Sequence, residues 1–159
     1  MAEEPLPGGV GLAIRKLLPA DVSQVQQLLE AAPGAANWPE DTIRASINSS
    51  QTLAFAAEEE GTIAGCIFGT DVAEEAEILN LAVRPQSRRR GIATALVYHL
   101  LRQWQLRHVQ RIFLEARESN LAAVNFYERL GFRQIGRRKT YYSEPEEDAL
   151  VLQRGATEK

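Results

Sequence analysis

The chain has 159 residues, 45% of them apolar and 25% charged, with a formal net charge of -3, values that suit one globular domain with a core of its own. No run approaches the roughly 20 apolar residues of a membrane span, no charged-then-apolar leader opens the chain, and the single cysteine, Cys66, cannot form an internal disulfide, so a cytoplasmic protein without a membrane partner is expected. The acidic balance, with a pI near 5.5, also opposes non-specific phosphate binding and makes nucleic acid a poor partner.

Residues 1–11, "MAEEPLPGGVG", carry Pro, Gly and acids without periodicity and read as a loose tail. "LAIRKL" at 12–17 alternates like a strand, and "PADVSQVQQLLEAA" opens with Pro19 and Asp21, which suit a helix N-terminus, before apolar Val22, Val25, Leu28 and Leu29. After "PGAANW" a second short helix is predicted from "PEDTIRASI". Strands are predicted at 52–59, 62–72 and 76–83, the first two joined by a hairpin at Glu60-Gly61. A helix over about 91–107 places Ala93, Leu96, Val97, Leu100 and Trp104 on one face. "RIFLEAR" at 111–117 reads as a strand, "SNLAAVNFYERLGF" as a helix capped by Gly131, and "FRQIGRRKTYYS" and "EDALVLQR" as two closing strands. The order β-α-α-β-β-β-α-β-α-β-β predicts an α/β or α+β domain over 12–154, with a short tail at 155–159.

Charge is unevenly placed. From Arg84 to Leu114 the chain has seven arginines and no acid, whereas acids gather in "EEE" at 58–60, "EEAE" at 74–77 and "EPEED" at 144–148. Each run alone reads as a solvated face. Together they suggest an anion-binding end and an acid-rich end.

The arginines bracket a helix start. A strand ending at Val83, then Arg88, Arg89 and Arg90, then Gly91 opening a helix, form a phosphate site by simple physics. The first N–H groups of a helix point outward unpaired, glycine lets an anion come close, and arginines add charge-assisted hydrogen bonds. Because the helix dipole alone is worth only about 0.3–1 kcal/mol, the arginines and several N–H groups must act together. Neither a dinucleotide G-x-G-x-x-G nor a Walker pattern is present.

"RRRGIA" at 88–93 resembles the Q/R-x-x-G-x-G/A signature of the GNAT acetyltransferase superfamily, and "LEARESNLAAVNFYERLGF" at 114–132 resembles its second block. The latter, followed by "YYSEPEEDALVL", is similar to the ribosomal-protein-alanine N-acetyltransferases, the RimI type, over roughly residues 11–154. The resemblance implies a GNAT fold, with a mixed, mostly antiparallel sheet of about seven strands flanked by about four helices. It implies acetyl-CoA as cosubstrate, with its pyrophosphate held at Arg88, Arg89, Arg90, Gly91, Ile92, Ala93 and Thr94. The backbone of Leu81, Ala82 and Val83 would pair with the pantetheine arm, and Asn120 and Tyr127 would contact the cofactor. The sequence departs from the family pattern at Arg88, where glutamine is commoner, and at Ala93, in place of the second glycine. It departs again at Thr94, where a basic residue often sits, and at Ala116 and Phe126, where Val and Leu are commoner.

The same resemblance places a general base at Glu115 and a general acid at Tyr127. Read from the residues alone, Glu115 is equally an exposed strand glutamate paired with Arg117, Tyr127 a core tyrosine, and Asn120 a helix cap. Trp38 either borders the acceptor site or anchors packing, and Tyr141 and Tyr142 border the same cleft. Cys66 reads as a small buried thiol, and His99 and His108 as surface or packing residues, so no metal is expected. The implied reaction acetylates a protein N-terminus, the N-terminal alanine of ribosomal protein eighteen of the small subunit. A basic acceptor would suit the acid runs, and a monomer or weak homodimer is expected. Two alternatives stay open: the same fold acting on a lysine or small amine, and a CoA-binding module without catalysis.

Overall fold

The computed structural model describes residues 4–5 and 12–157. Its elements are β1 (Glu4–Pro5), β2 (Leu12–Lys16), α1 (Val22–Ala31), α2 (Glu40–Asn48), β3 (Thr52–Glu59), β4 (Thr62–Val72) and β5 (Glu75–Val83). They continue through α3 (Ile92–Leu106), β6 (Arg111–Arg117), α4 (Leu121–Arg129), β7 (Arg133–Ser143) and β8 (Glu146–Gly155). The sheet order is β1-β2-β3-β4-β5-β6-β8-β7. Every neighbouring pair is antiparallel except β5 with β6. This is the mixed, mostly antiparallel sheet with flanking helices that the sequence predicts.

Two boundaries differ. Within the tail read over 1–11, Glu4 and Pro5 pair with Ile14 and Ala13, while the rest of that segment lies outside the described residues. At the other end β8 reaches Gly155 and Ala156 is buried, so the packed region extends past 154.

The helices cover both faces. α3 lies on one, where Ile92, Leu96, Val97, Leu100 and Trp104 pack on Phe55, Ile67, Ala76, Ile78, Ile112 and Leu114. α1 and α2 lie on the other, where Val22, Val25, Leu29 and Ile43 meet Ala56, Cys66, Phe68 and Ala82. Trp104 ties its helix to the sheet through Nε1, which donates to Asp71 Oδ1 at 3.2 Å, and Arg107 donates to the same carboxylate.

The site is prepared by a fault in β5. Phe68 faces Asn80 but the next residue, Gly69, faces Ile78, so Leu79 is one extra residue on its strand. Such a bulge reverses which side chains point to which face. Before it Ala76 and Ile78 enter the α3 core; beyond it Leu81 and Val83 do so, and Ala82 turns to the α1 side. The parallel ladder to β6 covers only Glu75–Glu77 and Arg111–Phe113. Past that point the two strands part.

Candidate active site

The opening between β5 and β6 is a cleft of about 1160 Å³. One mouth is built by the turn after β5 and the start of α3. Arg84 donates to Ser87 Oγ at 2.6 Å and to Glu59 at 2.6 Å, which fixes the turn. Arg89 and Gly91 both take positive φ, 62° and 79°. At Gly91 a side chain would project into open space on the cleft, so the glycine leaves room for an anion against the first N–H groups of α3.

The structure sorts the three arginines. Arg88 and Arg89 line the cleft, with Gly91, Ile92, Ala93 and Thr94. Arg90 instead reaches back to Glu59, with Nη2–Oε2 at 2.7 Å. That pairing spans 31 residues and holds the Glu59 carboxyl below its usual range, with Arg84 adding to the effect. Fewer of the arginines are therefore directed to the cleft than the sequence suggests: Arg84, Arg90, Arg107 and Arg111 are all paired with acids.

Leu81, Ala82 and Val83 form the edge of β5 that faces the opening. Asn80, 5% exposed, governs this edge. Its Oδ1 accepts from Leu81 N and Ala36 N, each at 3.1 Å, and its Nδ2 donates to Ala36 O at 2.9 Å. The asparagine thus clips the 33–38 loop onto β5, and Trp38 completes the attachment by packing edge-on against Phe68 at 5.0 Å. Trp38 also lines the cleft, so its two readings are compatible.

β6 and α4 make the opposite wall. Asn120 caps α4, its Oδ1 accepting from Ala123 N at 3.2 Å, and it also lines the cleft. A Cβ on Gly34 would come within 2.8 Å of Asn120 Nδ2, so the 33–38 loop rests against this amide. Tyr127, 7% exposed, packs edge-on with Phe126 and Phe132 while reaching the cleft. Burial raises its phenol well above the ordinary value, so it stays protonated at any working pH.

Glu115 sits mid-cleft with a side chain 15% exposed. Its partner is not Arg117 but Arg138, whose Nε lies 2.5 Å from Oε2. Arg117 serves the β7–β8 hairpin instead, donating to Glu147 and Pro145 O and lying 4.2 Å over the Tyr142 ring. Tyr141 and Tyr142 pack edge-on at 5.1 Å and border the cleft beside Glu115. Burial, then the Glu115 charge, raises both phenols. Two of the four acids at 144–148 are paired, Glu147 with Arg117 and Asp148 with Arg137.

Other candidates stay outside the chemistry. Cys66 is fully buried, and burial pushes its thiol up to about 12, which suppresses the thiolate. His99 is buried in the α3 core against Phe55. Among the described residues no helix is long and apolar enough to cross a membrane.

Known proteins agree with this arrangement. Residues 22–132 match the model of the acetyltransferase (GNAT) family. The [ribosomal protein bS18]-alanine N-acetyltransferase of Escherichia coli K12 is 35% identical over 130 residues, which cover 80% of this chain and 84% of that protein. A Bacillus subtilis protein described as a putative enzyme of the same kind is 27% identical over 141 residues, 88% of this chain and 93% of its own. Among solved structures, the Escherichia coli ribosomal-protein-S18-alanine N-acetyltransferase superposes with a TM-score of 0.84 at 29% identity, over 93% of this chain and 96% of that one. Ard1 of Thermoplasma volcanium superposes with a TM-score of 0.85 at 25% identity, over 94% and 100%. The chain belongs to the GNAT family and is an acetyl-CoA-dependent N-acetyltransferase.

Proposed function

We propose that the protein acetylates the α-amino group of a protein N-terminus, and that its acceptor is the N-terminal alanine of a bS18-type ribosomal protein. The observation that carries this reading is the position of Glu115. It lines the same cleft as Arg88, Arg89, Trp38, Tyr141 and Tyr142.

The donor side supplies what the diphosphate and pantetheine of acetyl-CoA require: Arg88, Arg89 and the α3 N-terminus for charge, and the parted edge of β5 for the amide-bearing arm. Leu81 N–H is already held by Asn80, so backbone recognition falls more heavily on Ala82 and Val83. Attack requires a neutral amine. An α-ammonium titrates near 7.7–8.0 and a lysine near 10.4, so an N-terminus is deprotonated at neutral pH at far lower cost. Glu115 accepts that proton, the amine nitrogen bonds to the thioester carbonyl carbon, and the carbon–sulfur bond breaks. Tyr127, kept protonated by burial, gives its proton to the departing sulfur and regains one from the new amide nitrogen.

The test is direct. The purified protein, acetyl-CoA and a set of peptides are combined, and the added acetyl group is located by mass spectrometry. The set contains free N-terminal alanine, blocked peptides with internal lysine, and polyamines. Transfer to the alanine terminus alone is expected, and transfer to lysine or polyamine alone would refute the acceptor assignment. Glu115→Gln should lower kcat by about 100-fold or more, and an unchanged pH–rate profile would remove Glu115 from the role of base.

A further inference from the structure

Arg138 reaches Glu115 from the far side of β8. The strands β6, β8 and β7 lie side by side, and their registers place Arg117, Ala149 and Arg138 in one row and Glu115, Val151 and Gly136 in the next. Paired residues share a face of the sheet, so these six lie opposite Leu114, Ala116, Leu150 and Leu152, which enter the α3 core. Ala149 and Gly136 carry too little side chain to block the diagonal across β8, and a Cβ at Gly136 would meet nothing within 4 Å. The Arg138 side chain takes that diagonal and ends with its Nε 2.5 Å from Glu115 Oε2.

The contact joins unlike partners. Glu115 Oε2 is enclosed, whereas the Arg138 side chain is 62% exposed. An enclosed carboxylate without a cation beside it is costly, so Arg138 steadies Glu115 while the cleft is empty. Yet Oε2 accepts no hydrogen bond of good geometry, and charge alone holds the pair. A primary ammonium, a compact charge with three donors, makes the better partner for that oxygen. The guanidinium has somewhere else to go. Its Cζ already lies 5.8 Å from the centre of the half-exposed Tyr141 ring, within cation–π range, and most of the side chain is in water.

We infer that Arg138 is a displaceable counter-ion: it occupies the acceptor's place on Glu115 in the empty cleft and yields to an acceptor that arrives as a cation. This rests on the reading above, in which Glu115 takes the acceptor's proton, and adds a positioning residue to it. An ammonium can displace the guanidinium because it returns to Glu115 the charge that leaves. A neutral group of the same shape cannot. The exchange therefore weakens the binding of every acceptor a little and selects amines that arrive protonated. It also favours turnover, because the acetylated terminus is neutral and Arg138 reclaims the carboxylate as the product forms.

The experiment uses the full chain loaded with CoA, which has no acetyl group to transfer. It compares an N-alanyl peptide with the same peptide acetylated at its terminus. Arginine Nε is isotopically labelled, and the Arg138 signal is assigned in NMR spectra by its loss in Arg138→Lys. The free-amine peptide should move that signal to the position of a solvated arginine, and the acetylated peptide should leave it in place. Arg138→Met keeps the stem and removes the charge. It should tighten binding of the free-amine peptide about fivefold, the upper end for a partly exposed ion pair, and change the acetylated peptide less than about twofold. In turnover the same variant should lower the acceptor KM with kcat less affected, and Arg138→Lys should restore wild-type behaviour. An Arg138 signal unmoved by the free-amine peptide, or free-peptide binding unchanged or weakened in Arg138→Met, would overturn the inference. If the wild-type protein acetylates a different amine, the acceptor reading fails by itself. That amine and its acetylated form then replace the two peptides, and the same comparison decides on Arg138.

Discussion

Asn80→Ala separates the acceptor wall from the strand that carries it. The substitution removes three hydrogen bonds, two to Ala36 and one to Leu81 N. Neutral hydrogen bonds of this kind contribute about 0.5–1.5 kcal/mol each. Ala36 is exposed, so water can take over its freed N–H and C=O, and the loss falls near the low end, about 2 kcal/mol in all. For a chain of this size that lowers Tm by roughly 4–8 °C. The functional effect should exceed what stability explains, because Asn80 fastens the 33–38 loop, which borders the cleft, to β5. A tilt of that wall should raise the acceptor-peptide KM by about tenfold, equivalent to about 1.4 kcal/mol of lost positioning, and leave kcat less affected. Asn80→Asp keeps the accepting oxygen but loses the donor and should fall between. The assays are a thermal melt and steady-state kinetics at saturating acetyl-CoA. A Tm drop of the expected size with an unchanged acceptor KM would refute the argument that this clip positions the wall.

Tyr127→Phe should reduce kcat by about 100-fold while acetyl-CoA Kd, followed by calorimetry, stays within about twofold; an equal loss of affinity would make Tyr127 a packing residue only. Arg89→Ala should weaken acetyl-CoA binding by roughly 10- to 100-fold, the range of a charge-assisted hydrogen bond. Arg90→Ala should barely change it, because Arg90 is engaged by Glu59; equal losses in a titration of both variants would contradict that division. Asp21 is a test of pH dependence. Burial opposes its charge, but the Arg15 guanidinium and Leu18 N–H outweigh burial and leave its carboxyl below the usual range. Its stabilisation is therefore complete above the unfolded value near 3.9 and is lost as pH falls through the lower folded value. Asp21→Asn should lower the urea midpoint at pH 7, and the difference should shrink toward zero in acid.

Strands β3, β4 and β6 lie where the sequence puts them, because alternation, the Glu60-Gly61 turn and flanking breakers all mark the same limits. The turn after β5 and the start of α3 are legible for a similar reason, because Gly91 and the residues around it mark a helix start locally. What sequence could not show is long-range. Glu59 taking Arg90 out of the anion site joins residues 31 positions apart, and nothing local distinguishes Arg90 from Arg88 or Arg89. Glu115 pairs with Arg138 on β7 although Arg117, two residues along its own strand, shares its face, because Arg117 is engaged by Glu147 and the carbonyl of Pro145. The bulge at Leu79 was hidden in "EILNLAV", an apolar run in which a reversal of facing leaves no trace. Asn80 follows that bulge directly, which is why it did not stand out as part of the site.

If acetyl-CoA takes the parted edge of β5, the short ladder between β5 and β6 couples the protein's stability to its donor. A strand edge left without a neighbour inside a sheet invites local opening and mispairing with other chains. A bound donor that takes the vacant edge stabilises the native state by mass action, about 2.7 kcal/mol when its concentration is 100 times Kd. A protein so loaded opens along this seam less often than an empty one.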